Sequence, residues 1–316
     1  MRDLSYKAWV WFGLIFLVLA PTAPAAGKIS IFVSIPPQKY HVERIGGDRV
    51  AVSVLAEPGD DPHTFAPKPQ QMVSLAKADV YFAIGIGIEQ AWLKKIKAVN
   101  PKMQIVHTDR GIQKIPMTAY PRHGDNATHH PETPPGSGQG RNTGTGKQHH
   151  PGWLDPHIWL SPPLVMIQAR HILNALVSID PAQGAVYAAN YKDFLAELVD
   201  LDLELMNIFS KGGKRHQFIV FHPAWGYFAH AYGLVQVPIE FEGKDPKPAQ
   251  LVTLIDYAKK HRIKVIFVQP QFSTKSAQIV AREIGGQVAR ADPLALDWAD
   301  NIRRQAAIFK SVLIKE

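Results

Sequence analysis

The chain has no cysteine. That excludes disulfides and thiolate metal sites, and it removes the residue on which an N-terminal lipid anchor would be carried. Dense Lys/Arg runs with interleaved aromatics are also missing. The net charge of +8 is spread along the sequence, so nucleic acid is not an expected partner. The longest apolar run near the start, residues 8–20, is short for a membrane span. Arg2 and Lys7 precede or adjoin it and Ala23-Pro24-Ala25-Ala26 follows, which is the layout of a secretory signal peptide over residues 1–26. Its removal takes Arg2, Lys7 and Asp3 and lowers the net charge by one. The expectation is an exported chain without disulfides, free in the periplasm if the source has two membranes.

What remains is ample for folding. At 316 residues with 46% hydrophobic composition, the chain suits two compact lobes. The apolar, β-branched stretch 29–35 reads as a buried strand stopped by Pro36-Pro37, followed by a helix over 38–45. Strands are expected at 50–55, 80–84 and 104–107, with helices at 69–78 and 89–99 between them. The intervening segment from Glu57 to Phe65 is rich in turn residues and reads as a loop. Residues 122–150 hold six glycines and five histidines (His123, His129, His130, His149 and His150) with almost nothing apolar. Such a tract buries too little to fold and is expected to be a disordered loop that holds metal ions only loosely.

Ser161 as a cap, followed by Pro162-Pro163, opens a helix running to about Ile179. Residues 182–209 then read as one long helix, with Tyr187, Tyr191, Phe194, Leu198, Leu201 and Leu205 at helical spacing. The second half repeats the alternation. Strands are expected at 217–221, 234–240, 265–268 and 287–291, and helices at 223–232, 247–261, 275–284 and 298–312. The fold expected is α/β, with two (β/α) Rossmann-like lobes joined by a long rigid helix. The division expected is signal peptide 1–26, first lobe 27–181, connecting helix 182–213 and second lobe 214–316.

Four side chains fall in loops that such a fold brings to one place. His63 follows the strand at 50–55, His222 ends the strand at 217–221, Asp292 follows the strand at 287–291, and His157 precedes a helix. Open α/β sheets bind ligands outside the carboxyl ends of their strands, so these loops can face one cleft, two from each lobe. Three imidazoles and a carboxylate suit tetrahedral Zn²⁺. Spacing alone does not single the four out: no His-Glu-x-x-His pair is present, and the positions span about 230 residues. Taken singly, each histidine reads as an ordinary loop residue.

The motifs around them resemble a known family. These are Asp61-Pro62-His63-Thr64-Phe65, Asp155-Pro156-His157-Ile158-Trp159-Leu160-Ser161-Pro162, Phe221-His222-Pro223-Ala224-Trp225-Gly226 and Ala291-Asp292-Pro293-Leu294. Together, and in this order, they resemble the metal-binding extracytoplasmic proteins that feed ABC importers, most closely the zinc-specific ZnuA-like type. The resemblance implies a periplasmic carrier rather than an enzyme, a transported Zn²⁺, a membrane permease as partner and a single-chain, monomeric site. It implies ligation by His63, His157, His222 and, in some members, the position of Asp292. It leaves the fourth ligand open among Asp292, Asp60, Asp61 and water. Where manganese-type relatives typically place a carboxylate, this chain has His222, and nitrogen donors favour zinc over manganese. Gln269 stands where relatives usually have Glu. The alternatives are a manganese or nickel carrier of the same fold and, further off, a secreted zinc hydrolase using Glu57 or Asp61 as general base.

Overall fold

The structure, a computed structural model, describes residues 27–118, 154–210, 216–240 and 243–313. The leader at 1–26 and the His-rich tract at 122–150, including Trp153 beside it, lie outside the described residues. Among those described, no helix is long and apolar enough to cross a membrane.

The first lobe begins with β1 (Ile29–Val33), α1 (Pro36–Gly46), β2 (Val50–Val54), α2 (Pro69–Leu75), β3 (Val80–Ala83), α3 (Gly87–Val99) and β4 (Gln104–His107). Its four strands are parallel in the order β2-β1-β3-β4. Val80, Tyr81, Phe82 and Ala83 are all buried, because helices cover both faces of a parallel sheet. After α4 (Pro162–Ile179) and α5 (Gly184–Phe209), the second lobe adds β5 (Gln217–Val220), α6 (Gly226–Ala231), β6 (Val235–Pro238), α7 (Pro248–Lys260), β7 (Val265–Val268), α8 (Lys275–Glu283), β8 (Gln287–Arg290) and α9 (Trp298–Leu313). Its sheet is again parallel, in the order β6-β5-β7-β8. In each sheet the chain first steps to one side and then crosses to the other. The switch points therefore lie between β1 and β3 and between β5 and β7.

α5 is the spine. Its 26 residues bury Tyr187, Phe194, Leu198, Leu201, Leu205 and Phe209 along one stripe, packed against α1, α4 and α9. One apolar core runs through it from the first sheet to α9, and a smaller one fills the space between the second sheet, α7 and α8. Polar ties reinforce the stripe: Arg44 pairs with Glu197 at 2.6 Å and Arg303 with Glu204 at 3.0 Å. A spine gripped from both lobes resists wide hinge motion.

Two local expectations are corrected. Ser161 occupies the N-cap of α4, but its hydroxyl makes no capping bond. Pro163 has no N–H to offer it, and the Leu164 and Val165 N–H groups go to the Ser161 carbonyl instead. The helix expected from Pro223 begins at Gly226, because Gln236 takes the Trp225 N–H and donates to the Pro223 carbonyl.

His41, on α1, reads from sequence as an unremarkable helical residue. The structure seals it at 0% exposure, with Trp298 edge-on at 4.9 Å and Phe194 at 5.9 Å, and among the described residues neither ring nitrogen has a hydrogen-bond partner. Burial pushes its pKa down to about 3. Between pH 6.5 and 3 the unfolded chain binds a proton that the folded one refuses. The stability tied to His41 is therefore complete above pH 6.5 and falls as pH drops, by up to roughly 1.4 kcal/mol per pH unit. His41→Phe should flatten the acid limb of the metal-free protein's stability curve. Urea melts from pH 7 to pH 4 check this, and parallel limbs for the two proteins would contradict it.

Candidate metal centre

His157 is built into a rigid corner. Leu154 bridges back to Pro116, Asp155 N–H donates to the Ile115 carbonyl at 2.8 Å, and Pro156 fixes the next φ. A buried 3₁₀ turn, Ile158–Leu160, then leads into α4. Asp155 Oδ1 accepts two bonds from His157, one from the main-chain N–H at 2.9 Å and one from Nδ1 at 2.7 Å. A carboxylate accepts only, so Nδ1 carries the proton and Nε2 presents a lone pair. Trp159 flanks the ring at 5.1 Å and is pinned at both ends, through its Nε1 to the Pro293 carbonyl and its own carbonyl to Trp298 Nε1, both 2.7 Å.

His222 arrives from the second sheet's switch point, two residues past the end of β5. Its Nδ1 bonds to Glu240 Oε1 at 2.9 Å, which again leaves Nε2 unprotonated. Phe272 stacks on the ring at 5.4 Å and 27°. Sequence reading assigned no role to Asp155 or Glu240. Asp155 sits two residues before its histidine and offered a local signal. Glu240 lies 18 residues from His222, and only the pairing of β5 with β6 brings them together.

The two Nε2 atoms lie 3.2 Å apart. Since both Nδ1 atoms are committed as donors, this is a meeting of two lone pairs, which is unfavourable unless a cation lies between them. Two Zn–N bonds of about 2.0–2.1 Å at a tetrahedral angle would hold their nitrogens about 3.3–3.4 Å apart. His63 completes the group, its ring 4.9 Å from His222 and 5.8 Å from His157, and the three ligand atoms lie within 4.8 Å of one another. It is carried by the exposed loop after β2, where Asp61 accepts from the His63 N–H at 3.0 Å and the Thr64 hydroxyl at 3.1 Å. Gly59 takes the left-handed φ of +97° that this turn needs. Among the described residues no carboxylate hydrogen-bonds to the His63 ring, unlike those of His157 and His222.

The cavity between the rings is about 20 Å³, room for one ion or water, closed by Ile86, Trp159, Phe272 and Leu294. The turn bearing Ile86 is held by buried Glu89, which accepts from the Ile84 and Gly85 N–H groups at 2.9 and 2.7 Å. Burial drives His157 well below the ordinary imidazole range. It also takes His63 down to about 4, where the neighbouring rings add to the effect. Burial pushes Asp155 up to about 7, against the bonds from His157.

Of the four expected ligands, the structure brings three together. Asp292 lies at the end of β8, next to Pro293 and Leu294, which line the cavity, but it is not part of the three-histidine group. Its Oδ1 accepts from the Leu294 N–H at 2.9 Å, closing the turn that leads to α9. Asp61 lines the cavity, while Asp60 accepts from the Glu57 N–H at 3.0 Å and shapes the loop.

Comparison with known proteins finds zinc-uptake and zinc-binding relatives. The family model described as zinc-uptake complex component A, periplasmic (ZnuA), matches residues 31–311. The high-affinity zinc uptake system protein ZnuA of Bacillus subtilis is 29% identical over 264 residues, covering 82% of this chain and 76% of the relative. The zinc-binding protein AdcA of Streptococcus pyogenes is 28% identical over 88% of this chain, which spans about half, 53%, of that longer relative. A zinc-bound crystal structure of a ZnuA deletion mutant superposes with a TM-score of 0.78 at 42% identity, covering 92% of this chain and 99% of that one.

Proposed function

The chain belongs to the ZnuA family of periplasmic zinc-uptake components, and from that membership we propose that it captures one Zn²⁺ between its lobes and hands it to the permease of an ABC importer. The family is one of solute-binding transport proteins, not of enzymes. The observation that carries the reading is the 3.2 Å approach of the His157 and His222 Nε2 atoms from opposite lobes, each ring held to a carboxylate through its Nδ1, with His63 closing the group.

In this account His157 and His222 are a fixed pair, each set in tautomer and direction by its carboxylate. His63 closes over the ion from an exposed loop and leaves with it. Because α5 holds both lobes, release proceeds through that loop rather than by wide opening. The fourth position falls to solvent on the side of His63, since Asp292 is turned to the Leu294 N–H through Oδ1 and lies outside the three-histidine group. The mature chain acts alone, as a monomer free in the periplasm after loss of residues 1–26, since it has no cysteine to carry a lipid. Three nitrogen donors favour Zn²⁺ over Mn²⁺, which prefers oxygen.

Uptake of labelled zinc tests the delivery role. In zinc-starved cells lacking their own binding protein, the chain expressed with its permease should restore zinc uptake. Restored manganese but not zinc uptake would replace this reading with that of a manganese carrier of the same fold.

The pH response follows from the lowered imidazole values. His63 and His157 are already neutral at pH 6.5, so zinc displaces no proton from them there. Protons compete only when the pH approaches about 4 for His63. Chelator-competition titrations should show the contribution of His63, read as the difference between wild type and His63→Ala, nearly level from pH 7.5 to about 5.5 and falling below. A fall centred near 6.5, the ordinary imidazole value, would contradict it.

A further inference from the structure

β5 and β7 pair side by side, and their last ladder bond runs from the Phe221 N–H to the Phe267 carbonyl at 2.9 Å. One residue further on, the main chain of His222 has no strand left to pair with. A side chain takes over. Gln269, at 1% exposure and directly after β7, accepts from the His222 N–H through Oε1 at 3.2 Å and donates from Nε2 to the His222 carbonyl at 2.5 Å. The amide thus stands in for a peptide group and extends the ladder by one rung.

The chemistry of the rung is specific. It needs one donor and one acceptor side by side at the end of a three-carbon reach, and glutamine supplies both. A glutamate carboxylate keeps the acceptor but sets its second oxygen against the His222 carbonyl. Asparagine is one methylene short, and an aliphatic side chain leaves the buried His222 N–H without its partner. Glu240 fixes the tautomer of the His222 ring and Phe272 covers its face, but neither fixes the backbone from which the ring projects.

Resting on the zinc-capture reading above, we infer that Gln269 is a positioning residue for the metal: it pins both main-chain polar groups of His222 and so aims Nε2 at the site. The amide at this position is a requirement of this chain's centre rather than a neutral replacement for an acid.

Cobalt(II) is the probe, because its visible absorption reports ligand geometry, and zinc affinity is measured beside it by chelator competition. Gln269→Leu should lose about 10–100-fold in zinc affinity, the range typical when support behind a ligand is removed, and should shift the cobalt spectrum. Gln269→Glu, which keeps the bond to the His222 N–H, should show a smaller loss and its own spectral shift. Wild-type affinity and spectrum in both variants would overturn the inference. So would a lower melting temperature with an unchanged cobalt spectrum, which marks a purely structural role. If Gln269→Leu does not fold, Gln269→Glu alone decides by the same two readouts. If the wild-type protein gives no tight zinc site and no nitrogen-ligated cobalt spectrum, the capture reading fails instead.

Discussion

Replacing His157 with alanine should abolish tight zinc binding while leaving the two lobes folded. The residue is 2% exposed, and its Nε2 is one half of the 3.2 Å pair at the centre. Structural zinc sites are worth about 10–16 kcal/mol over four ligands, so one imidazole carries about 3 kcal/mol or more. At 1.4 kcal/mol per factor of ten, the loss should exceed about 100-fold. The fold should survive, because α4 and the Trp159 anchors do not depend on the ring. Asp155 keeps the His157 main-chain N–H as a donor, and its carbonyl is still held by the Tyr227 hydroxyl at 2.9 Å. Calorimetric titration with a circular-dichroism control checks both halves. Zinc affinity within threefold of wild type would remove His157 from the site.

The second large effect is expected from one methyl group outside the site. Gly226 opens α6 with no left-handed φ, so alanine is acceptable to its backbone and would ordinarily favour the helix. Space is the obstacle. A Cβ there would sit 2.3 Å from Asp155 Oδ2 and 3.1 Å from Gln236 Nε2. Asp155 has little room to retreat, being fully buried with its main chain tied to Ile115 and Tyr227. Any shift it makes moves the oxygen that orients His157. Gly226→Ala should therefore weaken zinc binding by about 10–100-fold, as loss of ligand support does. It should also lower metal-free stability by about 1–3 kcal/mol through overpacking. Titration and urea melts of the same preparation measure the two effects. Unchanged zinc affinity would mean that Asp155 can move without consequence for His157.

The regular elements were legible because proline and periodicity mark them. β4, β7 and α4 fall on the residues expected, the last because Pro162-Pro163 and Asp180-Pro181 bracket an unbroken apolar pattern. His63 and His222 were legible in loops after strands and His157 in the loop before a helix, and it was the motifs around them rather than their spacing that singled them out. What escaped was the support behind them. Glu240 and Phe272 reach His222 across neighbouring strands and loops, and no local spacing announces such contacts; Gln269 stood out only as a departure from relatives, with its bonds to His222 unseen. His41 escaped for a related reason: whether a helical histidine faces solvent or Trp298 depends on how α1, α5 and α9 pack. Asp292 illustrates the converse. Its place after β8 matches that of a ligand, yet in the structure its carboxylate closes a turn.

The most direct test of one zinc held by three imidazoles from two lobes is X-ray absorption of the protein loaded with one equivalent of zinc. A form lacking residues 122–150 removes the five histidines of that tract from the count. The account predicts three imidazole nitrogens at about 2.0–2.1 Å with one oxygen neighbour, and a clear loss of imidazole scattering in His157→Ala. Two or fewer imidazoles, or a spectrum indifferent to that substitution, would contradict it.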